Sequence, residues 1–348
     1  VFVSTFHTPG EPDLTKYTYA RDRQPTWTEL EAAIGDLEVD AGHEPASARV
    51  FASGLAAVAA VFGTVLGAGD TVVVQEGCYF GARNLLRELF EPHGVTVRAV
   101  APEELALRER LAGAKLVWVE TPGNPRLEVV DVRAVVQAAR AVGALVAVDN
   151  TTATPLGQRP LELGADFSVC SDTKAMGGHS DVLMGHVATL DEVSLRKIER
   201  YRMLGGAIVG PMEAWLMQRS LATLPVRLER LCSNALTVAK FLKTRRQVLE
   251  VLYPGLESHP GHTVAVEQMT YFGPVLSFTL ADKGAAERFL AGSKLVSDTT
   301  SFGGVVTTAE RRARWGGDAV PEGLIRMSVG LEAEEDLIED IGAALDGI

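Results

Sequence analysis

The chain reads as an α/β protein, with a mostly parallel central sheet, helices on both faces, and a smaller C-terminal α+β domain. Three observations predict this. Short apolar runs, too continuous for strands with one wet face, recur between residues 71 and 190 and alternate with helical patterns. After about Gly206 long helical patterns take over. A second group of apolar runs follows, closed by an acidic terminal helix.

The first thirty residues, with Pro9, Gly10, Pro12 and Pro25, have the composition of an irregular arm or edge segment. A helical pattern runs from about Trp27 to Leu37, and ASGLAAVAAVFGTVL after Phe51 has the small, apolar character of a buried helix start. Candidate strands are TVVVQE (71–76), VTVRAV (95–100), KLVWVE (115–120), LVAVDN (145–150), FSVCS (167–171) and HVATL (186–190). Between Val130 and Val142 lies an amphipathic helix. Farther on, PMEAWLMQRSL and VRLERLCSNALTVAKFLKT are the strongest helical stretches. VLSFTL (275–280), SFGGVV (301–306) and LIRMSVG (324–330) are expected to form a second sheet under the terminal helix EAEEDLIEDIGAAL. The expected division is an arm over 1–26, a large domain over 27–220 and a C-terminal domain over 221–348.

At 348 residues the chain can bury roughly three quarters of the surface its unfolded form exposes, enough for one large core and a smaller one. Lys and Arg number 33 against 45 Asp and Glu, a net charge of −12, which argues against nucleic-acid binding. Cys78, Cys170 and Cys232 are far apart and form no CxxC pair, so neither a disulfide framework nor a zinc ribbon is expected, and the expected compartment is a reducing cytoplasm. No apolar run reaches membrane-spanning length, so no membrane partner is expected. The chain begins at Val1, as a clipped or processed N-terminus would.

FSVCSDTKAMGG (167–178) puts Lys174 where a buried strand gives way to a Gly-rich loop, and LVAVDNTTATP (145–155) ends an apolar strand in Asp149. Neighbouring parallel strands would bring these together at the C-terminal edge of the sheet. An amine there can form a Schiff base with an aldehyde cofactor while the carboxylate keeps a pyridine nitrogen protonated, the arrangement that pyridoxal 5'-phosphate (PLP) needs. Read singly, Lys174 is also compatible with a solvated loop lysine and Asp149 with a cap or turn residue. Ser171 and Thr173 before the lysine, and Gly177 and Gly178 after it, supply hydroxyls and exposed backbone donors for a phosphate. Gly54 and Leu55 in ASGLAAV offer backbone amides at a helix start, a further anion cradle or simply a site of close packing. His259 and His262 have HxxH spacing, but Pro260 and Gly261 break the helix that would aim both rings at one ion, so no metal is expected. No GxGxxG follows the early strands, which disfavours a nicotinamide enzyme.

The ordered series YTYAR, FASGLAA, ETPGNP, VDNTTATP, SDTKAMGGHSD, SFGG and RMSVGLE resembles the Cys/Met metabolism family of PLP enzymes over nearly the whole chain. That resemblance implies the type I PLP-transferase fold and a homotetramer built from two catalytic dimers. It implies that Lys174 binds PLP covalently, that Asp149 partners the pyridine nitrogen and that Tyr79 stacks over the ring. Gly54, Leu55, Ser171 and Thr173 match the phosphate cup, with Tyr19 and Arg21 reaching that phosphate from the neighbouring subunit. Asn124 resembles the asparagine near the phenolic oxygen and substrate carboxylate, and Thr151 lies near the ring. Arg326 is expected to grip the α-carboxylate through a bidentate contact, assisted by Ser301. His179 in GGHSD is expected to be structurally important near the active loop.

Three departures from the family pattern stand out: Arg23 and Gln24 in YARDRQPT, Phe80 and Ala82 in CYFGAR, and Val306 in SFGGVVTT where a glutamate is frequent. They leave the PLP core intact and bear on the substrate tail. The expected substrate is a small sulfur-containing amino acid, and the expected reaction is α,γ-elimination of cystathionine to cysteine, 2-oxobutanoate and ammonia. Methionine γ-elimination, cystathionine synthesis by γ-replacement and β-elimination share the same core. A non-enzymatic protein of the same fold is the contrasting class, and retention of Lys174, Asp149, Arg326 and Tyr79 weighs against it.

Overall fold

A computed structural model of the chain describes residues 1–11, 13 and 16–348; Pro12 of the expected arm lies outside the described residues. The described residues preceding residue 25 are irregular apart from a bridge between Thr5 and Tyr19. Helix α1 (Pro25–Leu37) then opens with Pro at its first position, where the missing N–H costs nothing.

A seven-stranded sheet has the order β1-β7-β6-β5-β4-β2-β3. Its strands are β1 (Ser47–Phe51), β2 (Thr71–Gln75), β3 (Thr96–Val100), β4 (Ala114–Glu120), β5 (Leu145–Asp149), β6 (Phe167–Cys170) and β7 (Gly185–Thr189). β2 through β6 pair in parallel, while β7 pairs antiparallel with both β6 and β1. The continuous apolar runs follow from burial on both faces. On one face Trp118 and Phe167 pack with Phe62 of helix α2 (Gly54–Val65), and on the other Val117, Val119 and Val146 pack with the helix Val132–Arg140. That second helix is capped by Asp131, which accepts from Ala134 N, and it turns Val132, Val135 and Val136 inward. Each such side chain contributes about 1.5–3 kcal/mol by leaving water. The six strands expected in this region are all present, and β1 is an additional edge strand.

The second sheet has the order β10-β11-β12-β9-β8 and carries the other large core, built around Phe278, Phe289, Ile325 and Leu337. Its strands are β8 (Glu250–Leu252), β9 (Val275–Thr279), β10 (Ser297–Asp298), β11 (Thr308–Arg311) and β12 (Leu324–Ser328). The long helices Pro211–Leu221 and Leu224–Lys243 and the terminal helix Glu334–Asp346 match their sequence patterns.

The strand expected over 301–306 does not form. This stretch is an irregular loop with bends at 304–306, and the strand begins at Thr308 instead. Its conformation is imposed by close approach: Gly303 has φ +81°, and a Cβ there would sit 2.4 Å from Ala175 N. The loop is thereby pressed onto the lysine turn, where a β-ladder has no room.

Candidate active site

Asp149 is the last residue of β5, and Lys174 lies in the turn after β6, the strand paired beside it. Both face a cavity of about 290 Å³ at the C-terminal edge of the parallel strands. Gly54, Leu55, Tyr79, Asn124, Thr151, Ser171, Thr173, Ser301 and Arg326 line the same cavity. The structure thus brings eleven of the thirteen expected site residues together. Tyr19 and Arg21 are the exceptions. They stack on each other on the arm, with the Arg21 guanidinium 5.1 Å from the Tyr19 ring centre, outside this cavity.

Lys174 Nζ donates to Ser301 Oγ at 2.9 Å and lies 5.3 Å from the Phe302 ring centre. Burial, reinforced by the Arg326 charge, pulls its amine down to about 8 against the opposing pull of Asp149 and Glu310. Asp149 is pushed up by burial, offset in part by hydrogen bonds from Thr151 and the charge of Lys174. Thr151 N donates to Asp149 Oδ1 at 3.1 Å, and Thr151 Oγ1 accepts from Ser171 N at 2.8 Å. One threonine therefore braces both the carboxylate and the lysine turn.

The residues expected to form a phosphate cup converge because glycine permits it. A Cβ on Gly54 would lie 2.5 Å from Ser171 Cβ, so only glycine lets the start of α2 touch the turn before Lys174. Ser53 caps that helix, accepting from Ala56 N at 3.1 Å. The first-turn N–H groups of α2 have no partners within the helix and carry its positive dipole end. Thr173 Oγ1 accepts from Met184 N at 3.0 Å, which holds the turn against the chain leading into β7.

Arg326, on β12, is buried. Its guanidinium donates to Asn124 Oδ1 at 3.0 Å, to Ser301 O at 2.7 Å and to Glu310 Oε1 at 2.6 Å. Tyr79 caps helix α3 (Phe80–Leu85), with its ring 4.8 Å from that of Phe80. Burial pushes the Tyr79 phenol up, and the charges of Asp149 and Glu120 add to the effect. It therefore stays protonated and able to donate near neutral pH.

Glu120 also belongs to this site, although the sequence reading did not single it out. Its carboxylate accepts from Tyr79 N at 2.5 Å and from Asn124 N at 2.8 Å, tying two cavity walls together. It ends β4 directly beside Asp149 in the ladder. Burial, then the Asp149 charge, pushes it to about 8. The signal was available: KLVWVE ends in a carboxylate as LVAVD does.

Val306 is half exposed and does not line the cavity. His179 Nδ1 lies 2.7 Å from Gly177 O, within the active loop. His259 Nδ1 accepts from Gly261 N, while His262 Nδ1 lies 2.8 Å from Pro254 O, so the two rings serve separate backbone contacts. A buried group unforeseen from sequence is His186, whose ring nitrogens meet Asp172 Oδ1 at 2.7 Å and Glu38 Oε1 at 2.8 Å.

The donor set fits PLP. Among the described residues Asp149 presents a buried carboxylate with no ion-paired partner, the amine of Lys174 is pulled down to about 8, and the Gly54–Ser171 contact forms a cradle beside a helix N-terminus. Fold and site together define a PLP-dependent α/β enzyme. A family model described as Cys/Met metabolism PLP-dependent enzyme matches residues 2–346, and the chain belongs to that family. It is a PLP-dependent carbon–sulfur lyase.

A Streptomyces coelicolor protein named "Putative cystathionine gamma-lyase" is 54% identical over 99% of this chain and 88% of its own. A Lactococcus lactis cystathionine beta-lyase is 37% identical over 99% of this chain and 92% of its own. Among solved structures, cystathionine gamma synthase from Xanthomonas oryzae in complex with cystathionine superposes with TM-score 0.93 at 34% identity, covering 99% of this chain and 92% of that one.

Proposed function

We propose that the protein is a cystathionine γ-lyase, cleaving cystathionine with water to cysteine, 2-oxobutanoate and ammonia. The observation that carries this reading is the position of Lys174 Nζ, held by Ser301 Oγ between Asp149 and Arg326 and facing the same cavity as Tyr79. The 54% identical relative named for the γ-lyase activity supports that reaction over its neighbours.

PLP, held covalently by Lys174 at rest, would supply an electron sink for negative charge developing at the substrate's Cα. Asp149 would hold the pyridine nitrogen, with Thr151 keeping Asp149 oriented, and Tyr79 would cover the ring. Gly54, Leu55, Ser171 and Thr173 would bind its phosphate. Arg326 grips the α-carboxylate, with Asn124 and Ser301 fixing its plane. With a pKa near 8, Lys174 Nζ can accept the Cα proton and move protons among the neighbouring carbons. Tyr79, its phenol kept protonated, donates to the departing sulfur.

In this reading the chain works as a homotetramer of catalytic dimers, with Tyr19 and Arg21 completing the phosphate site of the neighbouring subunit. The arm ends near residue 26, the domains meet near residue 220, and the enzyme acts in the cytoplasm.

The test is to incubate the PLP-loaded protein with cystathionine and resolve the products by mass spectrometry. Cysteine with 2-oxobutanoate is the expected pair. Homocysteine with pyruvate would reassign the chain as a β-lyase. No turnover of cystathionine would overturn the assignment, and methanethiol from methionine, or synthesis from cysteine and an activated homoserine ester, would replace it.

A further inference from the structure

Glu310, fully buried on β11, accepts from Arg326 at 2.6 Å and from Arg312 at 2.8 Å through a single oxygen, Oε1. Arg312 also pairs with Asp318, whose other oxygen accepts from Arg83 of α3 at 3.4 Å. Arg83 then donates to Gly317 O at 2.9 Å and, through Nε, to Cys78 O at 2.8 Å. Charges of alternating sign thus run without a break from Arg326 to the backbone immediately before Tyr79. Phe80 follows the same course: Gly317 lies against it, at a separation where an added Cβ would make ordinary contact at 3.7 Å. The segment 310–318 of the second sheet therefore docks on the Cys78–Arg83 turn of the first.

Most of this chain is shielded from water. The side chains of Glu310, Arg312, Asp318 and Arg326 are no more than 6% exposed, whereas Arg83 is 35% exposed. At such burial a carboxylate bridging two guanidinium groups is held firmly, because leaving either charge unpaired is costly.

We propose that Asp318 is a positioning residue for Tyr79, acting through Arg83 and tied through Arg312 and Glu310 to the arginine that grips the substrate. This rests on the reading in which Tyr79 assists the leaving sulfur and Arg326 holds the α-carboxylate. The network sets the distance between these two points of contact, one at each end of the substrate, although they belong to different sheets. It also gives Phe80, one of the two departures in CYFGAR, a contact with Gly317.

The experiment is a double-mutant cycle on the holoenzyme with cystathionine. Asp318→Asn should lower kcat about tenfold, below the ~100-fold that a 1 Å misplacement can cause, with little change in KM. In the Tyr79→Phe background the same change should cost almost nothing further, because its effect passes through that tyrosine. Arg83→Gln should reproduce both results. Equal, additive losses in the two backgrounds would overturn the coupling while leaving the role of Tyr79 intact. Full kcat in Tyr79→Phe alone would overturn the role of Tyr79, and the coupling with it. Should Asp318→Asn fail to fold, Arg83→Lys, which keeps the charge but loses the contact with Cys78 O, carries the same comparison.

Discussion

Ser301 holds Lys174. The Ser301 hydroxyl, 2.9 Å from Lys174 Nζ, comes from the loop between β10 and β11, and its backbone has φ +76°, a left-handed conformation that costs a non-glycine residue energy. The second sheet thus delivers a strained hydroxyl to an amine mounted on the first.

Removing that hydroxyl separates its two roles. Ser301→Ala should lose a hydrogen bond of about 1 kcal/mol, lowering kcat/KM about fivefold. Ser301→Gly should lose the same activity while matching or exceeding the parent thermal midpoint, because glycine accepts the positive φ. Steady-state kinetics and thermal melts of both variants check this.

In the proposed reading Lys174 must be unprotonated to capture PLP. Its amine sits near 8, so the rate at which cofactor-free protein takes up PLP should climb with pH and level off above about 8. Arg326→Gln removes the charge that, after burial, most depresses the amine, and should move the climb to higher pH. The folded pKa lies below the ordinary 10.5, so the unfolded chain binds more protons between these values. Lys174 therefore makes the cofactor-free protein more stable as pH rises from 8 to 10.5. Lys174→Ala should abolish PLP attachment and lower kcat by at least about 1000-fold. Absorbance-monitored loading, denaturation of the cofactor-free protein and product assays read these effects.

Gly54→Ala places a Cβ 2.5 Å from Ser171 Cβ and 2.7 Å from its Oγ. The start of α2 and the lysine turn must then separate, at a cost of about 1–3 kcal/mol for overpacking. PLP retention should fall about fivefold or more. Equilibrium dialysis of PLP against the variant measures it.

His186 predicts the alkaline limit. Burial alone would lower its pKa, but Asp172 and Glu38 outweigh burial and push it to about 10, above the ordinary 6.5. Its stabilisation is therefore fully present below 6.5 and is lost as pH rises through 10. His186→Gln leaves two buried carboxylates without their cation and should destabilise the fold by about 3–5 kcal/mol near neutral pH, with a smaller deficit near pH 10. Denaturant unfolding of both proteins at several pH values checks the magnitude and its trend.

Much of the fold is legible locally. β4, β5 and β6 announce themselves as unbroken apolar runs because both faces are covered, and Asp149 stands out because it ends such a run. β1 is less legible: SARVF mixes Ser and Arg into a short edge strand, whose partner β7 lies far along the chain. SFGGVV has the apolar content of a strand but becomes a loop, because Gly303 must pass against Ala175. No feature within the hexapeptide records that neighbour.

The sequence by itself determined the parallel-sheet class, the placement of Lys174 and Asp149 at strand ends, and, through the ordered motifs, the PLP family. These depend on periodicity and on residues adjacent in the chain. Tertiary structure alone decided that Ser301 reaches Lys174, that Glu120 joins Tyr79 to Asn124, and that Arg83 meets Asp318 from 235 residues away. The first and last of these contacts arise when two separately cored sheets close on one another, while the Glu120 contacts join parts of the first sheet that are apart in sequence. Their energy comes from burying paired charges and hydrogen bonds at that junction, which no local propensity records.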